Sequence, residues 1–175
     1  APARDKGTAT LKRKKEIWNW NPRIERTIKL PNSMMSQSWM GSDFTNDDLV
    51  NDVSLIDDYT HSLLGDTTID GREAWKISLV PKEGVAVVWG KVITYVDQEE
   101  YIFLRSEYYD EEGYLVNVML GKEIEQMGGR TLATRMEMIP VEEEGHKTVL
   151  TYQDIEFNQD LPQTFFSVQN MKQVR

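Results

Sequence analysis

The side chains with reactive chemistry are few. His61 and His146 are the only imidazoles. Both have polar neighbours and neither falls in an HxxxH-type spacing, so they read as ordinary strand or surface residues rather than metal ligands or bases. Asp43, Asp47, Asp48 and Asp52 gather the carboxylates a calcium ion favours. The run lacks the ligand order, central glycine and terminal glutamate of an EF-hand loop. No GxSxG, GxGxxG or P-loop pattern occurs. A chain without cysteine has no disulfide, thiolate zinc site or cysteine nucleophile. The expectation is a protein that is not an enzyme and carries neither cofactor nor metal. A different signal stands beside the acids, because Met34, Met35, Trp39, Met40 and Phe44 crowd into the stretch just before them. Soft, polarizable methionine next to aromatic rings suits a surface that adapts to an irregular apolar ligand, though it also suits plain core filling.

The whole chain limits what such a segment can serve. A length of 175 residues, 39% hydrophobic and 28% charged, fits one globular domain over residues 1–175. No apolar run reaches the roughly 18 to 20 residues of a membrane helix. A formal charge of −9 argues against nucleic acid as a partner. That charge is uneven: residues 1–30 hold nine Lys or Arg against three acids, and the remainder holds eleven against twenty-six. The cluster Lys12-Arg13-Lys14-Lys15 reads either as a solvated hairpin turn or as a contact for lipid phosphates or an acidic partner. The first residues, Ala-Pro-Ala, suggest a processed or fragmentary chain.

The elements that must position these residues read mostly as strands. Thr8 to Lys12, Glu16 to Trp20 and Ile24 to Leu30 form a first meander rich in aromatic and β-branched types. Ile69-Asp70-Gly71-Arg72 is a strong hairpin signal. Strands are then expected over Ala74 to Val80, Val87 to Val96, Tyr101 to Tyr109, Tyr114 to Met127, Arg130 to Val141 and Lys147 to Phe157. Long strands with tight acidic connectors favour one strongly curved antiparallel sheet or partial barrel over a compact sandwich. Thr45-Asn46-Asp47-Asp48 supplies a cap and first-turn acids for a short helix over Asn46 to Val50, and Gln163 to Gln169 suggests another. Alternation within the strands is imperfect. Tyr101, Phe103 and Tyr109 fall on one side of their strand, and Tyr114, Val116, Val118 and Leu120 share one face of the next.

Gly41-Ser42-Asp43-Phe44 followed by Asp48-Leu49 resembles the hallmark of the outer-membrane lipoprotein-sorting protein family, a LolA-like group. Gly7-Thr8-Ala9-Thr10-Leu11, the Trp-containing strand, the Pro turn and the basic strand Arg23 to Lys29 resemble the segment preceding that motif. Leu161-Pro162 to Met171 resembles the closing segment, so the likeness runs from about Gly7 to Met171. It implies a mainly β fold, an unclosed antiparallel half-barrel with one or two short helices or a loop as lid. It also implies a periplasmic protein whose precursor carries a signal peptide, and a chain that lacks the family's N-terminal helix and first strands.

By the same resemblance the hollow takes lipid or lipoprotein acyl chains, in lipoprotein sorting or lipid export, with a membrane exporter or envelope protein as partner. Met35, Trp39, Met40, Phe44, Tyr101, Phe103, Val116 and Val118 are the expected lid and cavity wall. The alternative is an envelope sensor or interaction module that binds a protein. An unpaired edge near Thr8 to Lys12 would favour a homodimer.

Overall fold

The computed structural model describes residues 6–13, 16–50 and 54–173. Lys14 and Lys15 of the expected first turn, and Asp52 of the acidic run, lie outside the described residues.

Two antiparallel ladders carry the chain. The smaller holds β1 (Ala9–Arg13), β2 (Glu16–Asn21) and β3 (Arg26–Lys29) in sequence order. Ile17 is fully buried beneath it with Leu30, and Met34 and Met35 pack against that pair. On the other face Lys29 lies 5.7 Å over the Trp18 ring and pairs with Glu16. The expected third strand is shorter than its apolar pattern because Ile24 and Glu25 belong to the preceding turn, Glu25 with φ +49°.

The larger ladder is a seven-stranded meander. It comprises β4 (Tyr59–Ile69), β5 (Arg72–Pro81), β6 (Lys91–Asp97), β7 (Phe103–Tyr109), β8 (Leu115–Met127), β9 (Arg130–Pro140) and β10 (Thr148–Thr151). Each strand pairs with the next, and the order ends at β4 and β10 without closure. The fold is therefore mainly β, with an open antiparallel sheet. Asp70 and Gly71, at φ +49° and +83°, make the two-residue turn between β4 and β5 that matches the right-handed strand twist. Register shifts lie between Leu63 and Gly65, between Tyr95 and Val96 (opposite Leu104), and between Tyr108 and Tyr109 (opposite Val116). Bulges bend their strands and increase the local twist, so three of them across five neighbouring strands bend the sheet.

Bending separates two kinds of surface. One face presents Tyr59, Leu79, Val92, Tyr108 and Met138, joined by Trp89 from the connection before β6. Burying each such side chain contributes about 1.5–3 kcal/mol. The other face carries ion pairs and ring contacts. Arg105 meets Glu107 at 2.8 Å, Arg135 and Lys147 both reach Glu137, and Lys91 stands 4.2 Å over the Tyr109 ring. Tyr109 donates to Glu107 at 2.9 Å, and burial followed by that contact pushes its phenol up to about 12.

Three short α-helices, α1 (Asn46–Val50), α2 (Ser54–Asp57) and α3 (Val168–Met171), and two 3-10 turns, Asn32–Met34 and Gln163–Phe165, complete the described elements. The helix expected over Gln163 to Gln169 divides into a 3-10 turn, Gln163–Phe165, and α3, which Ser167 caps by accepting from the Asn170 N–H. The strand expected over Lys147 to Phe157 leaves the ladder after Thr151. Tyr152 still donates its N–H to Thr134, after which the chain crosses Gly128. A Cβ on Gly128 would lie 2.4 Å from the Ile155 carbonyl, so only glycine admits this crossing. Among the described residues no helix is long and apolar enough to cross a membrane.

Candidate functional site

The Gly-Ser-Asp-Phe motif resolves into four separate tasks. A bridge pairs Ser38 with Thr45, and between them the Ser42 N–H closes a tight turn onto the Trp39 carbonyl at 3.0 Å. Met40 and Gly41 occupy its centre at φ +52° and +75°, where glycine is comfortable and most side chains are not. The Ser42 hydroxyl donates to Trp39 O at 2.6 Å and accepts the Phe44 N–H at 3.3 Å. Asp43 ties the loop to the far edge of the large sheet. Its N–H donates to Thr148 Oγ1 at 3.0 Å, Thr148 donates back to Oδ2 at 2.6 Å, and His146 Nε2 lies 3.0 Å from Oδ1. Phe44 then turns inward against the core of Tyr59, Trp89 and Tyr108.

The acidic residues that follow build the start of α1. Thr45 and Asp48 cap each other's backbone: Thr45 N–H donates to Asp48 Oδ2 at 2.7 Å and Asp48 N–H to Thr45 Oγ1 at 3.1 Å. The second Asp48 oxygen accepts the Trp89 indole N–H at 2.8 Å, and Asp47 accepts the Val88 N–H at 3.3 Å. These bonds draw Val88 and Trp89 out of the strand expected over Val87 to Val96, which begins only at Lys91. Asn46 is buried and donates to Met34 O and Gln37 O. The Tyr59 phenol nearby is pushed far above its ordinary range, first by burial and then by Asp47, Asp48 and Asp58. Of the carboxylates that suggested calcium, the three described ones, Asp43, Asp47 and Asp48, thus have protein donors in this arrangement.

Beneath Phe44 and Leu55 lies an apolar hollow of about 440 Å³. Tyr59, Leu79, Trp89, Val92, Tyr108, Met119 and Met138 wall it, and Phe103, Met136, Leu150 and Tyr152 stand at its far end. Its two aliphatic hydroxyls are satisfied in series, Ser106 donating to Thr94 at 3.0 Å and Thr94 to the Arg105 carbonyl. The volume lies within the roughly 300–1,000 Å³ of small-molecule sites. Past Phe103, Met136 and Tyr152 a second recess of about 400 Å³ opens, and the chain from Tyr152 to Phe157 contributes to its wall.

The eight residues expected at the lid and wall are distributed unevenly. Phe44 and Phe103 line the hollow, and Val116 packs against the same core from the bulge in β8. Tyr101 borders the second recess, 71% exposed, its ring 5.6 Å from that of Trp75. Met35 belongs to the core of the small sheet. Trp39 is half-buried, with its indole N–H 3.4 Å from Thr10 Oγ1, and Met40 is exposed in the turn. Val118 pairs with Glu107 and Ile139 and is not among the lining residues. Tyr59, Trp89, Met119 and Met138 were not foreseen. The alternation Met136-x-Met138 was the visible signal for that end. His61 Nε2 lies 2.8 Å from the Leu55 carbonyl, beside the roof.

A family model described as "Uncharacterized protein" matches residues 1–173. No curated protein matches the chain in sequence. Among solved structures it is similar to a DUF1329 family protein from Desulfovibrio piger, at 24% identity and TM-score 0.86, covering 98% of this chain and 73% of that one. A LolA superfamily protein from Nitrosomonas europaea matches at 25% identity and TM-score 0.78, over 97% of this chain and 74% of the other. A domain named for outer membrane lipoprotein sorting, from Vibrio parahaemolyticus, matches at 22% identity and TM-score 0.78, over 90% and 66%.

Proposed function

The chain belongs to the family whose model matches residues 1–173 and has a LolA-like fold, and from that premise we propose that it is a periplasmic carrier or binding protein for lipid or lipoprotein acyl chains. The observation that supports this most is the roofed apolar hollow, with Phe44 and Leu55 above and Met119, Met136 and Met138 within. Methionine and aromatic walls adapt to a flexible chain without asking for fixed polar contacts. Each buried methylene contributes about 0.8 kcal/mol, so a modest length of chain gives measurable affinity.

Native mass spectrometry and organic extracts of the purified protein test the proposal, together with displacement of a fluorescent fatty acid. Co-purifying lipid and saturable displacement are expected. Clean extracts with no displacement reject the carrier. A second reading, an envelope sensor or interaction module, draws on the exposed C-terminal segment. Leu161, Phe165 and Phe166 stand 52%, 55% and 44% exposed, the two rings edge to face at 5.2 Å. A stoichiometric protein partner from envelope extracts, without lipid, would favour it.

A further inference from the structure

Resting on the carrier reading, we propose that the site takes an amphiphile with an anionic head in one direction, its alkyl chain under Phe44 and its acid group at Arg130. The two recesses meet at Phe103, Met136 and Tyr152, which line both. Their far ends are electrically opposite. The roofed end carries Asp47 and Asp48 among its lining residues and no cation. The second recess carries Arg130 as its only charged lining residue, in a chain where acids outnumber bases 29 to 20.

The neighbouring acids are turned away. Asp154 and Glu156 alternate with Ile155 and Phe157; the acids are exposed and the apolar pair is half-buried against the recess. The Arg130 guanidinium carbon lies 4.3 Å over the Phe157 ring centroid. A guanidinium presents its N–H donors in its own plane, where they match a carboxylate or phosphate edge. Tyr101, Thr131 and Tyr152 place three hydroxyl-bearing residues in the same lining. An anion at the other end would face two carboxylates in an apolar surround, where like charges repel more strongly than in water. A neutral head can hydrogen-bond at either end but gains no charge preference between them, so for an anionic ligand the charge difference sets the orientation.

Affinities of a long-chain fatty acid, the fatty alcohol of equal length and the corresponding alkyl phosphate test this on the full chain, for the native protein, Arg130→Gln and Arg130→Lys. Hydrogen bonds to charged groups are worth more than neutral ones, but Arg130 is exposed and therefore screened. The native protein should bind the acid or the phosphate about tenfold tighter than the alcohol, and R130Q should erase most of that ratio while R130K, which keeps the charge but not the planar fork, retains part of it. The tighter of the two anionic ligands names the head. Equal native affinity for acid, phosphate and alcohol overturns the proposal while the carrier reading stands. So does an equal loss for all three in R130Q. Binding of none of them removes both.

Discussion

Gly41 lies at φ +75° with nothing within 4 Å of a would-be Cβ, so its requirement is backbone conformation and not space. Gly41→Val should cost about 1–3 kcal/mol and lower the melting temperature by roughly 2–4 °C per kcal/mol, readable by calorimetry. Gly41→Asn, which tolerates the left-handed region, should cost less. Trp39 and Phe44 separate by the same logic of surroundings. Phe44 lines the hollow, so Phe44→Ala should weaken displacement of a fluorescent fatty acid severalfold beyond any fall in stability. Trp39 touches Thr10 of the small sheet instead, and Trp39→Ala should act on melting temperature with affinity kept. Reversal of that pattern would show Trp39 at the ligand. Among the carboxyls, Asp97 is held below the ordinary range by the Glu100 N–H and then by Arg72, and Glu137 by Lys147 and then by Arg135. A carboxyl lowered on folding stabilises fully above its unfolded value, about pH 4, and loses that contribution as pH falls through its folded value. Melting temperature should therefore drop on acidification below about pH 4. The combination Asp97→Asn with Glu137→Gln should flatten that slope.

Thr45 is the N-cap of α1, and its hydroxyl accepts from Asp48 while its own N–H is held by the Asp48 carboxylate. Thr45→Ala should cost about 1 kcal/mol, measured by urea unfolding, and Thr45→Ser almost nothing. This helix was legible because a Thr followed three residues on by Asp is a local signal, complete within its own four residues. The hairpin at Asp70-Gly71 was legible for the same reason, and the Gly128-Gly129 turn likewise. What failed depended on distant residues. Val87 to Gly90 is apolar enough for a strand, yet Val88 and Trp89 are claimed by carboxylates some forty positions earlier. Counting alternate positions from Val116 places Val118 on the hollow, but Val116 is a bulge residue and the count does not carry across it. Alternation signals a face only while the ladder runs unbroken. The motif's meaning was also partly hidden: that Phe44 enters the hollow depends on Thr148 and His146 holding Asp43 from 105 and 103 residues away.

At the scale of the molecule, β4 offers a longer edge to a second copy than β1 does. It spans eleven residues at the end of the large sheet, with Leu63 and Leu64 exposed by 64% and 54%. A two-fold pairing centred on those leucines would set His61 opposite Asp66; α2 packs beside β4 as α3 packs beside β1. Light scattering during size exclusion should give twice the 20.3 kDa chain mass at high concentration, and Leu64→Lys should return the monomer. A strict monomer in the native protein retires the homodimer. The roof over the hollow belongs to neither ladder of strands. The chain from Leu30 to Asp58 joins the two sheets, and its capped loop is tied down through contacts that include Thr148, His146, Val88 and Trp89. Lifting it breaks no strand pairing in the seven-stranded sheet, so access to the interior requires only a sub-global opening. Backbone amides of Phe44 to Asp48 should then exchange with deuterium well before those of β7, β8 and β9, and a bound lipid should slow the former while leaving the latter unchanged. The molecule would load and unload its interior without ever risking its fold.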